Sequence, residues 1–187
     1  MSKIKTYGFL DFAKTQEGAI QRFLHHAHDH MIASRMLRDN PIFLDSSAYL
    51  CNMAFELFLK AVHIAENGKF KGLHNLISLH DGLDNKMIAK RDLPLVKVID
   101  KYSLVRYPID KALNKSQKKL RLGGRTFGID EIGTDELEKA DELFVKLWRK
   151  LHRLNLYKAI INNIHDRPYQ KGNRILMQKN RNGNQQA

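Results

Sequence analysis

The chain has a single cysteine, Cys51, which excludes an internal disulfide. Its neighbours are apolar, the setting of a buried structural thiol, whereas a nucleophilic thiolate needs nearby positive charge. Four prolines and one tryptophan leave room for long unbroken elements. No G-x-x-x-x-G-K-[ST] phosphate loop is present, and Gly123-Gly124 alone carries little. Ser, His and Asp are too scattered to nominate a nucleophilic triad. Charges interrupt the apolar runs before the ~18 residues that a membrane span needs. The opening stretch MSKIKTYGFLDFAKTQ meets a polar break before a signal-peptide core could form. These absences predict a cytoplasmic protein with no membrane partner.

Acidic residues are missing from two places in particular. Residues 111–125 carry Lys111, Lys115, Lys118, Lys119, Arg121 and Arg125 with no acid, and residues 167–187 carry Arg167, Lys171, Arg174, Lys179 and Arg181 with none. Those eleven bases nearly equal the net charge of +12, because the rest of the chain sets twenty-one bases against twenty acids. A near-neutral body with two basic segments is the footprint of a protein that meets a polyanion. RNA or another nucleic acid is the expected partner, with Lys115, Lys118, Lys119, Arg121 and Arg125 as its contacts. An acidic protein is the other partner such segments suit.

What is present is helical periodicity. Ile20, Phe23, Leu24, Ala27, Met31 and Ser34 recur at three and four, predicting a helix from about Gln16 to Arg38 that Asn40-Pro41 ends. Ser46 or Ser47 is the expected cap of a second helix reaching about Asn67, with Gly68 as its terminating glycine. LHNLISLHDGL predicts a short third helix, and 92–105 a fourth with Asp92 as cap and Pro94 in its first turn. Asp135 and Glu138 form the capping pair of a long last helix to about Ile164, carrying Leu137, Ala140, Phe144, Leu147, Leu151 and Leu154 inward. No strand pattern competes. The fold class is all-α, an up-and-down bundle of four to five helices with a basic loop, the domain covering 1–166. Residues 167–187 are expected to form a disordered basic tail.

Within the second helix, NMAFELFLKAVH is apolar almost all round. Its polar members Asn52, Glu56, Lys60 and His63 are spaced four, four and three, so they form one narrow seam. Glu56 precedes Lys60 by four, the favourable order for an intrahelical pair. A helix surrounded by others in a bundle would present such a seam.

The stretch SSAYLCNMAFELFLKAVHIAENGKFKGLHNLISLH resembles the central helix and following turn of HEPN (higher eukaryote and prokaryote nucleotide-binding) domains. The matching residues are Tyr49, Ala54, Glu56, Leu57, Lys60, Ala61, Gly68, His74 and Leu76. The resemblance covers roughly residues 16–85 and extends to the last helix. It implies a helical bundle that often dimerises, and an involvement with RNA. Many such domains are metal-independent RNases of toxin–antitoxin or defence systems, and others are binding modules or partners of nucleotidyltransferases. A homodimer and a partner protein such as a nucleotidyltransferase or antitoxin are therefore further expectations.

The family's catalytic motif is an Arg followed, after four to six residues, by a His near the start of the last core helix. Here that helix offers Arg149 and His152, with only two residues between them. Arg22 and His28 have the right spacing but lie on the first helix, and chance alone yields about 1.7 such pairs in this composition. A binding module without the standard RNase site is the resulting expectation. The alternatives are a metal-independent RNase with a non-standard pair drawn from Arg106, Arg149, His74 and His152, or a protein–protein interaction module. His74 is expected to cap the third helix or to pack against the Glu56–Lys60 seam. His26 and His30, one turn apart in LHHAHDH, are the candidate metal ligands, but two ligands do not complete a structural site. H-E-x-x-H and E-x-x-H patterns are absent, so no metal and no other cofactor is expected.

Overall fold

The computed structural model describes residues 4–106 and 132–153. Two long helices form its centre, α1 (Gln16–Arg38) and α2 (Leu44–Asn67). They run antiparallel. Gln16 at the start of α1 donates to the Ile64 carbonyl near the end of α2 (2.6 Å), while Ser34 Oγ donates to the Ser47 carbonyl at the other end (2.8 Å). Thr15 caps α1 by accepting the Gly18 amide at 3.0 Å. Gly68 ends α2 in the left-handed conformation at φ 67°, a region open to glycine without a Cβ penalty.

Three shorter helices close the bundle: α3 (Leu76–Asp81), α4 (Leu93–Asp100) and α5 (Thr134–Arg153). A 3-10 segment continues α4 through Lys101–Arg106. The core is one cluster. Phe55 and Phe58 of α2 meet Phe144 of α5 edge-on at 5.5 and 5.6 Å between ring centres, and Trp148 lies 6.0 Å from Phe144. Of the expected inward residues, Leu137, Ala140, Phe144, Leu147 and Leu151 are buried, while Leu154 and the expected helix end near Ile164 lie outside the described residues.

Several local expectations are corrected. A two-stranded antiparallel ribbon, β1 (Thr6–Gly8) and β2 (Lys69–Lys71), pairs Tyr7 with Phe70. Tyr7 and Phe70 then stack with Phe12 against Phe23 of α1, so aromatic packing holds strands too short for a periodic signal. Ser46 and Ser47 do not cap α2, which begins at Leu44; Ser47 is buried and exchanges hydrogen bonds with Ser34. Asp92 makes no capping hydrogen bond to α4. The last helix starts at Thr134, and the Glu136 carboxylate, instead of Asp135 with Glu138, accepts the Gly133 amide (2.9 Å). Pro41–Asn67 is long and apolar enough to cross a membrane by length and composition alone, since its few charges fall far enough apart for one window to pass. Half of that window is buried inside the bundle, as in the core helix of a helical domain.

Candidate functional site

The seam on α2 is buried throughout. Asn52 donates to the Ile99 carbonyl at 3.2 Å, and His63 Nε2 lies 2.8 Å from the Leu79 carbonyl. A carbonyl only accepts, so His63 carries its proton on Nε2. Glu56 is 2% exposed, and its Oε1 receives the Lys60 ammonium at 2.6 Å. Lys60 also stands 5.1 Å from the centre of the Phe70 ring, where the aromatic face attracts a cation.

His74 brings this buried pair to the surface. Its ring is 47% exposed, and Nδ1 lies 3.0 Å from the same Glu56 oxygen. The seam reading of His74 thus holds, and Asn75 performs the capping of α3 by accepting the Ser78 amide at 2.7 Å. An imidazole oriented by a carboxylate and reaching solvent is a group that can move a proton near neutral pH. Asp100 flanks the arrangement, accepting from the Leu76 amide at 2.7 Å and from the Asn75 side-chain amide. Burial pushes its carboxyl above the ordinary range, those two hydrogen bonds pull it back, and the charge of Glu56 adds to the rise.

Among the described residues, no arginine is seen joined to this imidazole. Arg149 is exposed on α5, and among the described residues no hydrogen bond or ion pair links it to His74. Arg106 ends the 3-10 segment and His152 lies in the last turn of α5; their side chains fall outside the described residues. Arg22 and His28 do not converge either. Arg22 is exposed and donates to the Phe12 carbonyl at 2.9 Å, whereas His28 is buried 6.0 Å from the Trp148 ring. The nucleic-acid candidates Lys115, Lys118, Lys119, Arg121 and Arg125, the boundary at 166 and the basic tail also lie outside the described residues.

The histidine-rich turn of α1 is arranged differently from the expected pair. Ligand atoms of His25, His26 and Asp29 lie within 4.8 Å of one another on an exposed face. His30 is not in that group. It is half-buried, and burial first, then the charge of His26, hold its pKa below the ordinary value while Asp29 opposes them.

One charged cluster is not anticipated from the sequence. Arg35 of α1 grips Asp141 of α5 with two hydrogen bonds, Nε to Oδ2 at 2.5 Å and Nη2 to Oδ1 at 2.7 Å. Arg38 adds a third at 3.2 Å and sits 3.6 Å from Glu138. The signal that could have found it is spacing: Ala27, Met31, Ser34 and Arg38 continue one buried stripe, so Arg38 sits where an apolar residue would be expected. Cys51 lies beneath this cluster, and burial raises its thiol far above the reactive range, with Asp141 adding to the rise.

Compared with known protein families, the chain matches the HEPN domain over residues 20–122, more than half its length. No curated protein and no solved structure matches it.

Proposed function

The chain belongs to the HEPN domain family, and from that premise we propose that it is an RNA-binding module whose helices carry basic segments to the phosphate backbone. At the level of the family, a nucleotide-binding or RNase-like module is supported. The observation that carries the finer reading is charge segregation. Eleven of the bases stand in two segments without an acid, outside a body that is otherwise nearly neutral. Described ionic side chains of the interior are already engaged with one another, as in Lys60 with Glu56 and Arg35 with Asp141. On that reading the helices are the scaffold and the two basic segments make the contacts. In this reading α2 is a core helix, the protein works in the cytoplasm, and a second copy or a partner enzyme joins it through other surfaces.

A metal-independent RNase is the second reading, and one observation favours it. His74 is half-exposed and oriented by the buried Glu56 carboxylate, as a proton-transferring imidazole would be. One gel assay separates the two readings: purified protein with labelled transfer RNA and a generic single strand, in EDTA, at two salt concentrations. Retardation without cleavage that weakens as salt rises supports the module. Cleavage that survives EDTA and is lost in His74→Ala supports the nuclease. Neither retardation nor cleavage turns the search to acidic protein partners.

A further inference from the structure

A cleft of about 610 Å³ opens between α5 and the connection from α3 to α4, within the size range of small-molecule sites. Its floor includes Met87, Ile88, Leu143 and Leu147, all buried, and its rim is mainly cationic. Two of the lysines are structural. Lys86 Nζ donates to the Asp81 and Leu83 carbonyls at 2.6 and 2.7 Å, and Lys150 Nζ donates to the Lys86 carbonyl at 2.7 Å, tying α5 to the connection. Lys90 and Lys146 are exposed at the mouth, as is Arg91, which touches Asp92 only at 4.0 Å. The acids on the lining are Asp81 and Asp92, so cations outnumber them five to two.

A second observation points to a ligand. His80 lines the cleft and is 4% exposed, yet its Nε2 has no hydrogen-bond partner and its Nδ1 is only in ion-pair range of Asp81 at 3.5 Å. Buried polar atoms are normally satisfied, and this nitrogen, closed to solvent within the wall of the cleft, is not; a small turn of the ring would offer it to a polar atom brought in from outside. We propose that this cleft is a binding site for a small phosphomonoester with an apolar or aromatic ring. The ring lies on Met87, Leu143 and Leu147, the phosphate meets Lys90, Arg91 and Lys146, and an oxygen of the ligand pairs with His80 Nε2 as the imidazole turns toward the cleft. The apolar floor selects against bare phosphate, and the cationic rim selects against a neutral ring. None of its lining residues is among those assigned to RNA, so it stands whether or not that assignment does.

Phenyl phosphate titrated into the ¹⁵N-labelled full chain is the test, with benzyl alcohol and inorganic phosphate as the two half-ligands. Saturable shifts confined to residues 80–81, 86–92 and 143–150 are expected, with a dissociation constant of about 1 mM, the range a ligand of that size reaches at ordinary efficiency. Each half-ligand should bind at least tenfold more weakly. The exposed pair Lys90→Glu and Lys146→Glu should weaken phenyl phosphate at least tenfold with the amide spectrum of the fold retained. His80→Phe, which removes an unsatisfied nitrogen at similar volume, should leave thermal stability equal or higher and weaken binding several-fold. Affinity unchanged by the charge reversals, inorganic phosphate binding as tightly as its phenyl ester, or no saturable shift would each overturn the site.

Discussion

Two ionic clusters in this bundle are built on opposite plans. In the seam, Glu56 and Lys60 are one turn apart on α2, and helix geometry alone brings them together. In the clasp, Arg35 and Arg38 of α1 meet an Asp141 more than a hundred residues away on α5. The seam would persist in an isolated helix. The clasp exists only after α5 has docked, so it contributes to the placement of elements rather than to the formation of any one of them. Both are buried, and in both a carboxylate is shared: by one ammonium and one imidazole in the seam, by two guanidinium groups in the clasp. A buried pair adds little over an apolar substitute, but removing one partner leaves a charge away from water. The clasp, with two cations on one carboxylate, therefore has more to lose.

The largest effect should come from Asp141→Ala, which strips Arg35 and Arg38 of their common partner. Destabilisation of about 3–5 kcal/mol is expected in urea unfolding. A loss below about 1 kcal/mol would put the clasp in the class of surface pairs and remove the contrast. Glu56→Gln should cost less, about 1.5–3 kcal/mol, because the amide oxygen still accepts from Lys60 and the Phe70 face remains beside the ammonium. If Glu56→Gln proves as costly as Asp141→Ala, proximity along the chain gives no relief, and the two plans are energetically alike. Gly68→Ala calibrates both against plain backbone strain. Forcing a Cβ into the left-handed region at φ 67° should cost about 1–2 kcal/mol, read in the same unfolding assay.

The contrast also marks what could be read from the chain before its fold. Local geometry was legible: α1 begins at Gln16 and ends at Arg38 as the three–four spacing predicts, and Gly68 ends α2 as a left-handed cap. The seam was legible for the same reason, because its spacing is a property of one helix. Its connection to His74 came with the family resemblance, since no periodicity links residues eighteen apart across a turn. The β1–β2 ribbon was not legible, because three-residue strands hold too few alternations to register and are fixed by Phe12 and Phe23, from elsewhere in the chain, packing on Phe70. Ser47 misled for a related reason. Its type suits a helix cap, but packing of α1 on α2 turned it to Ser34. The clasp required a partner on α5, and only the interruption of a buried stripe by Arg38 hinted at it.

The smallest effect is the one that asks whether the seam reaches beyond α2. Asp100 has a folded-state pKa raised above 3.8, first by burial and in part by the charge of Glu56, against the pull of the Leu76 and Asn75 hydrogen bonds. A raised carboxyl binds its proton more tightly in the folded state than in the unfolded one. Its stabilising contribution is therefore full below 3.8 and is lost as pH rises through the folded value. Asp100→Asn removes that titration. Relative to the parent, the variant should fare worse at pH 3 than at pH 7 in urea unfolding, since only the parent has the favourable protonated form to lose. In a Glu56→Gln background the Asp100 pKa should fall, because one of the charges raising it is gone. The pH dependence of the Asp100→Asn difference should then narrow. A difference that keeps its full width in that background would mean that the seam's charge is not felt at Asp100, and that α2 carries a closed pair rather than one end of a network.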